Sequence, residues 1–265
     1  KKFVDVNATL HNRIKILNNV IFSNIATNYG IQFSYGSTKN LWIEGNYINF
    51  SNSNSYNPIS INGGSKYFHV KNNIVLSRGH TAIAISPASY GEITGNIVWA
   101  SSVAEEGGIE VEWKNGHGPS IASADTSHHI IVSDNIVYGG NWGIYTIDRD
   151  TGTDPYEIII TDNIINGSTT CLYLAEGINL TVSGNAYSGC GTEVTIDSPV
   201  TFKKQHFEGD MGIGVSAPQY KLEVNDVDKA LNVSGFLYAN STNVGIGTSN
   251  PIAGLDIVKN TSVSE

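Results

Sequence analysis

Charged residues and cysteines are scarce in this sequence, and long apolar runs are absent. Only 15% of the residues are charged, which argues against a helical protein. No run of 18 apolar residues occurs, so the sequence predicts no membrane-spanning helix. The net charge of −9 argues against nucleic acid as a partner, because phosphates are bound by basic surfaces. It is compatible with neutral glycans, or with acidic glycans when a metal ion intervenes.

The N-terminus also lacks a recognisable targeting signal. It begins Lys-Lys-Phe-Val-Asp-Val, with no apolar signal core. Leu10 to Asn19 already fit the repeat described next. We therefore expect this sequence to be the middle of a longer protein.

What the sequence has in abundance is a short repeated motif, apolar-x-(Asn/Gly/Asp)-Asn-x-(apolar or aromatic). It occurs seven times, and the steps between its asparagines are 27, 27, 23, 39, 28 and 22 residues. Those asparagines are Asn19, Asn46, Asn73, Asn96, Asn135, Asn163 and Asn185. A period in the twenties with several short β-runs per repeat is typical of a β-solenoid.

The residue types in the motif predict a stacked corner. Its first position is always Asn, Gly or Asp, which enter a left-handed backbone conformation most cheaply. Its second position is always Asn, and such residues stacked coil upon coil can form a hydrogen-bonded amide ladder. The flanking Ile and Val alternate with polar residues, so one side of each strand should be buried.

This pattern resembles the right-handed parallel β-helix family, the pectin-lyase-like fold, over about residues 1–200. We therefore predict an all-β chain in which a right-handed parallel β-helix, a single-stranded β-solenoid, is followed by a small β-rich repeat shaft. The predicted domains are 1–200 for the β-helix and 201–265 for fibre or stalk repeats. The family holds lyases, hydrolases and passive surface proteins, so the fold alone does not fix the function.

The shaft prediction rests on a second repeat. The segment Gly212-Ile213-Gly214 followed by Leu222-Glu223-Val224 returns 33 residues later as Gly245-Ile246-Gly247 and Leu255-Asp256-Ile257. These copies resemble the Gly-Ile-Gly-Thr repeats of phage tail fibres and large microbial surface proteins. The resemblance implies a homotrimer formed through the C-terminal repeats, because so few apolar residues make no core alone.

The long step of 39 residues marks residues 101–127 as an irregular coil, where function often concentrates. Alternation with Ile109 and Val111 turns Glu110 and Glu112 outward. The next coils add Tyr145, Asp148 and Tyr173, and coils lie about 4.8 Å apart. We predict an acidic patch with aromatic borders, which suits a polysaccharide. Its candidate catalytic residues are Glu110, Glu112 and Asp148, and its candidate substrate-binding residues are Trp113, Lys114, His117, Trp142, Tyr145, Arg149 and Tyr173.

Two further patterns bear on the chemistry of this patch. Gly116-His117-Gly118-Pro119-Ser120-Ile121 resembles the Gly-His-Gly-x-Ser-Ile motif of polygalacturonase-type hydrolases, with Glu105-Glu106 where that family has two Asp. Asp148, Asp150 and Asp154 surround Gly152 roughly as calcium loops do, which makes Ca²⁺ a candidate cofactor. A polar Asp/Gly turn is the alternative.

The predicted function is therefore an extracellular protein, at a cell surface or on a virion, that binds a polysaccharide. The sequence leaves cleavage open, either as a polysaccharide lyase or as a glycoside hydrolase. The alternative is a purely structural adhesin or fibre segment with no catalytic activity.

The two cysteines, Cys171 and Cys190, lie 19 residues apart in a coil of 22. Cys190 is therefore three residues short of the position directly above Cys171. Three strand residues span about 10 Å, which is too far for a disulfide unless the Gly189-Cys190-Gly191 corner bends back. Both a disulfide and two buried thiols stay open.

Overall fold

A computed structural model shows an all-β protein that divides into two compact units, Lys1–His206 and Phe207–Glu265. The structure describes residues 4–7, 12–26, 29–35, 38–101, 106–113, 126–148, 154–197, 200 and 202–205 of the first unit. In the second unit it describes the backbone of six short strands. None of the described residues forms a helix long and apolar enough to cross a membrane.

The first unit contains 21 strands among its described residues. They are β1 Val4–Asn7, β2 Asn12–Leu17, β3 Val20–Ser23, β4 Ile31–Tyr35, β5 Lys39–Glu44, β6 Tyr47–Phe50, β7 Ile59–Lys71, β8 Ile74–Ser77, β9 Ile83–Thr94, β10 Ile97–Ala100, β11 Gly107–Trp113, β12 His128–Ser133, β13 Ile136–Gly139, β14 Trp142–Asp148, β15 Tyr156–Thr161, β16 Ile164–Asn166, β17 Thr170–Leu174, β18 Leu180–Ser183, β19 Ala186–Ser188, β20 Thr192–Ile196 and β21 Phe202–Gln205.

These strands stack in parallel on three faces, which defines a right-handed parallel β-helix, as predicted. Face 1 precedes the asparagine corner and holds β2, β5, the end of β7, the end of β9, β12, β15, β18 and β21. Face 2 follows that corner and holds β3, β6, β8, β10, β13, β16 and β19. Face 3 holds β1, β4, the starts of β7 and β9, β11, β14, β17 and β20.

The predicted amide ladder is present at the corner between faces 1 and 2. Each asparagine side-chain oxygen accepts hydrogen bonds from the backbone N–H and the side-chain amide of the asparagine one coil earlier, for example at 3.0 and 2.9 Å from Asn135 to Asn163. The same contacts run without a break from Asn19 to Asn185. The residue before each asparagine has a positive φ, between 52° and 68°.

A second left-handed corner, between faces 3 and 1, was not predicted. One residue there has a positive φ in each of seven coils, and most of these residues are neither glycine nor asparagine. They are Arg13, Asn40, Tyr67, Tyr90, His129, Glu157 and Asn179. A left-handed conformation costs such residues roughly 1–2 kcal/mol each, so the coil geometry rather than the residue type sets this corner.

Columns of aliphatic side chains from the three faces fill the interior. Along face 3, Ile31, Ile59, Ile83, Ile109, Ile144 and Leu172 lie in register and are each 0% exposed. The neighbouring residues Phe33, Ile61, Ile85 and Val111, two positions further along the same strands, are also buried. Alternation thus identified the core correctly.

The extra length of the 39-residue coil falls mainly on one corner. Ile85 and Ser89 are four residues apart on β9, whereas their partners in the next coil, Val111 and His128, are seventeen apart. The insertion therefore enters between faces 3 and 1, beside the strand that carries Glu110 and Glu112.

The cysteine alternatives resolve in favour of a disulfide between Cys171 and Cys190, whose Cα atoms lie 5.8 Å apart. Gly189 has a φ of 63°, so the corner bends back as a bond requires. The offset of three residues is taken up by this bend rather than along a straight strand.

The second unit contains β22 Met211–Ile213, β23 Leu222–Val224, β24 Leu231–Val233, β25 Leu237–Ala239, β26 Val244–Ile246 and β27 Leu255–Ile257. β22 pairs in parallel with β23, and β26 pairs in parallel with β27. The two copies of the sequence repeat therefore have the same local strand pairing. β24, β25 and β26 form antiparallel pairs between them.

Candidate functional site

The candidate site lies on the outer side of face 3, where β9, β11, β14 and β17 begin. Its centre is Glu106, the residue immediately before β11. The Glu106 carboxylate accepts hydrogen bonds from the Thr81 backbone N–H at 2.9 Å and from the Thr81 hydroxyl at 2.7 Å. Its other oxygen lies 2.8 Å from Nδ1 of His80. Thr81 and His80 belong to the preceding coil, so the site is assembled by coil stacking.

The Thr81 hydroxyl links this carboxylate to Tyr145. Thr81 Oγ1 donates to Glu106 and accepts from the Gly107 N–H at 3.3 Å. A hydroxyl has one proton and two lone pairs, so Tyr145 must donate its own proton to Thr81 in the short bond between them. The result is a directed chain from Tyr145 through Thr81 to Glu106.

Gly107 makes room for this chain. A Cβ atom at Gly107 would lie 2.0 Å from the Trp142 carbonyl oxygen and 2.9 Å from Cε1 of Tyr145. The Tyr145 ring thus crosses over a residue without a side chain to reach Thr81. This explains how a tyrosine from one coil contacts a threonine 64 residues away.

The surroundings of Glu106 lower its pKa below the ordinary 4.5. Burial by itself raises that pKa, but the hydrogen bonds from His80 and Thr81 together outweigh it. Glu106 is therefore ionised at neutral pH and acts as an acceptor rather than as an acid. His80 bonds it through Nδ1, which orients the imidazole.

Aromatic rings and a carboxylate continue the site toward the C-terminal coils. The Trp142 ring packs on Tyr145 with centroids 4.8 Å apart and stacks on Tyr173 at 4.7 Å. The Tyr173 hydroxyl donates to Asp197 at 2.7 Å. Burial, and then the bond to Asp197, raise the pKa of Tyr173 to about 12. Tyr173 is therefore a neutral hydroxyl at physiological pH.

The prediction that Glu110, Glu112 and Tyr145 face solvent is wrong. These side chains are 4%, 5% and 0% exposed. Glu110 pairs with Ala84 on one side and with Tyr145 on the other, so it lies in the middle of a sheet. Alternation along a strand predicts on which side of the sheet a residue lies, but not whether that side is exposed. Trp99 also has a strand on each side, and it is 41% exposed.

Asp148 lies one residue beyond the level of Glu112 on the paired strands. Glu112 pairs with Ile147, and Asp148 pairs with Trp113, because Thr146 is an inward, fully buried residue opposite Val111. For Trp113 and Asp148 only the backbone is described. Lys114, His117, Arg149 and Asp150 lie outside the described residues.

No group of three metal-ligating side chains comes together among the residues whose side chains are described. Of the predicted calcium ligands Asp148, Asp150 and Asp154, only the side chain of Asp154 is described. The backbone carbonyl of Asp154 accepts a hydrogen bond from the Thr126 hydroxyl at 3.4 Å. The calcium prediction therefore stays a prediction.

Sequence reasoning missed His80, Thr81 and Asp197. The interpretation of the sequence concentrated on the irregular coil, whereas His80 and Thr81 lie one coil earlier and Asp197 lies in the last coils. The coil period contained a signal for Thr81, because Thr81 and Gly107 each lie two residues before a paired isoleucine of face 3, Ile83 and Ile109.

Comparisons with known proteins found one structural likeness. No family model matches the chain, and no curated protein matches it. A solved structure that resembles it is the enzymatically active domain of tailspike protein 2 from bacteriophage CBA120, with 11% identity and a TM-score of 0.41. The match covers 93% of this chain and 41% of that chain, so this chain spans less than half of the tailspike domain. At this level of similarity the match supports no argument about activity.

Proposed function

We propose that this β-helix binds a polysaccharide along face 3, as an extracellular protein of a cell surface or virion. The observation that carries the proposal is the row of polar groups fixed one coil after another. His80, Glu106 and Asp197 present oriented donors and acceptors beside Trp142 and Tyr173. An extended glycan lying along the solenoid axis would meet a new coil about every 4.8 Å.

Charge supports a particular class of glycan. Residues 102–200 contain fourteen Asp or Glu and two Lys or Arg, whereas residues 12–101 contain two and six. The coils that carry the site are therefore strongly acidic, and their field repels uronates and other anions. Neutral or amino-bearing sugars fit this surface best, and acidic ones fit only with a bridging cation.

Cleavage is a second candidate function, favoured by Glu110 and Glu112. Both carboxylates lie on the same side of β11 and are buried, and their Cα atoms are roughly 7 Å apart along the strand. Inverting glycosidases use two carboxyl groups about 6.5–9.5 Å apart as acid and base, and two glutamates on one side of a strand can bring their carboxyl groups to such a separation. The role is proposed for these two residues, with Asp148 as the third candidate.

The alternative is a structural adhesin or fibre segment, favoured by how the aromatic rings are used. Trp142 and Tyr173 stack on each other, as do Tyr29 and Tyr56 at 4.7 Å in the first coils. Rings that stack on each other along the axis stabilise the solenoid. Their faces are then occupied by each other, and only their edges are accessible to a ligand. In either case the repeats of 201–265 would form a shaft that associates as a homotrimer.

Binding is tested with a glycan array and titration calorimetry on the full chain. Trp142→Ala and Glu106→Gln should each weaken binding by about tenfold or more, since each removes a direct contact or its support. Trp42→Ala is the matched control, because Trp42 also stacks on one ring, His69, but on face 1. Equal effects of all three variants, or no glycan bound, would support the structural alternative.

Cleavage is tested with reducing-end and unsaturated-uronate assays on every glycan that binds. Glu110→Gln with Glu112→Gln should remove turnover, while glycan binding through Trp142 is kept. Turnover that survives this double substitution would place the reacting carboxylates elsewhere.

A further inference from the structure

Face 2 carries no charged residue on any of its seven strands. Its inward residues fill the core, and its outward residues form two columns along the solenoid. The outward positions are Val20, Tyr47, Ile74, Ile97, Ile136, Ile164 and Ala186 in one column and Phe22, Asn49, Leu76, Trp99, Tyr138, Asn166 and Ser188 in the other. Ten of these fourteen side chains are large and apolar or aromatic, where a solvated sheet would alternate apolar with polar residues.

Five of these ten apolar side chains are exposed in the single chain, and the other five are half-buried. Val20 is 66% exposed, Phe22 59%, Ile164 48%, Trp99 41% and Tyr138 37%. Aromatic enrichment together with missing charge is the composition of the buried centre of a protein interface. The composition of face 2 is therefore that of a surface buried in a protein–protein interface.

The other two faces differ in this respect. The outer side of face 1 carries Lys15, Lys71 and Glu92, which form an ion pair and a cation–π contact among themselves and with Trp42. The outer side of face 3 carries Glu106. Face 2 is the only one of the three faces whose described strands all lack charged residues.

The absence of charged residues on face 2 favours a second copy of this chain as its binding partner. When identical chains pack side by side in the same direction around one axis, each residue near the axis faces its own counterparts. Any charge there meets the same charge, and like charges in contact destabilise the assembly. For a chain with a net charge of −9, an uncharged face is therefore the most favourable surface for this kind of self-association.

We propose that face 2 packs against face 2 of further copies of this chain, arranged in parallel around an axis along the solenoid. Seven coils at about 4.8 Å and four residues at about 3.3 Å give a flat footprint of roughly 440 Å². A standard interface buries roughly 800 Å² per partner, so face 2 forms part of the contact. The proposed shaft of 201–265 would provide the rest.

This inference is independent of glycan binding, and a cross-linking experiment on the full chain tests it. Val20→Cys and Ile164→Cys place single free thiols at opposite ends of face 2, because the native cysteines are paired with each other. A short bismaleimide, which links only free thiols, should join each variant to itself. Ile159→Cys is the matched control, since Ile159 lies in the same coil as Ile164, is 36% exposed, and belongs to face 1.

In a parallel assembly both face 2 variants cross-link with themselves roughly tenfold faster than the control, because contact raises the effective thiol concentration to the millimolar range. Sedimentation velocity should show a multiple of the 28.5 kDa chain mass. Three results would overturn the proposal. They are a monomer at all concentrations, equal cross-linking of the face 1 control, and cross-links only in a mixture of the two face 2 variants, which would indicate antiparallel packing.

Discussion

Replacing Asn163 by alanine tests whether the amide ladder holds the solenoid together. Asn163 is 0% exposed. Its side-chain oxygen accepts from Asn135, and its amide donates to the carbonyl of Val132 at 2.9 Å and to the side chain of Asn185 at 2.9 Å. Alanine leaves the buried Asn135 N–H without its acceptor and removes the amide donor from the Val132 carbonyl.

Each buried polar group that loses its partner costs about 1–3 kcal/mol. Two such groups lower the free energy of unfolding by about 3–5 kcal/mol, a large part of the roughly 5–15 kcal/mol typical of a domain. For a chain of this size we expect the melting temperature to fall by on the order of 10 °C. Urea and thermal unfolding followed by far-UV circular dichroism would measure the loss.

Asn166→Ala is the matched control for this substitution. Asn166 lies in the same coil but is exposed, and its amide donates only to the Ser188 hydroxyl, at 2.8 Å. Its removal should change stability by less than about 0.5 kcal/mol. Equal losses for Asn163→Ala and Asn166→Ala would refute the reasoning, because burial and multiple partners would then make no difference.

Three further predictions concern the site and the last coils. Because the pKa of Glu106 is lowered, its stabilising effect should be present above pH 4.5 and lost as the pH falls through its lowered value, and Glu106→Gln should remove this acid-side loss in pH-dependent urea unfolding. Gly107→Ala should destabilise the protein by about 1–3 kcal/mol, because the new Cβ would overlap the Trp142 carbonyl. Exchanging Cys171 and Cys190 for serine should lower stability by about 3 kcal/mol, as expected for a loop of 19 residues.

Each of these has an outcome that contradicts it. An unchanged acid limb in Glu106→Gln would assign that limb to another carboxylate. A Gly107→Ala protein as stable as the wild type would mean that the Trp142 carbonyl shifts at no cost to admit the new Cβ. Thiol titration that finds two free cysteines in the native protein would contradict the disulfide.

The sequence was sufficient for the scaffold because the scaffold is built from local rules repeated seven times. Residues that tolerate a left-handed conformation precede each ladder asparagine, and alternation places Ile109 and Ile144 in the core. Both signals lie within a few residues of the position they describe. The second corner shows the limit, since Tyr90 and His129 give no local sign of a positive φ.

The site was only partly predictable because its contacts join distant coils. Alternation assigned Glu110 to the outer side of its strand, but alternation gives no information about burial, and this side chain is only 4% exposed. The bond from Tyr145 to Thr81 depends on the absence of a side chain at Gly107. A three-residue dependence of this kind is not visible in any single stretch of sequence.

The unbroken ladder has a consequence for how such a chain can diverge. Asn96 and Asn135 make the same hydrogen bonds as every other ladder pair, although 39 residues separate them instead of 22 to 28. The extra residues enter at the far corner, between Val111 and His128, and leave the next coil in register. Related chains can therefore lengthen, shorten or replace that one segment during evolution, and so change the surface at this corner, while inheriting the same solenoid.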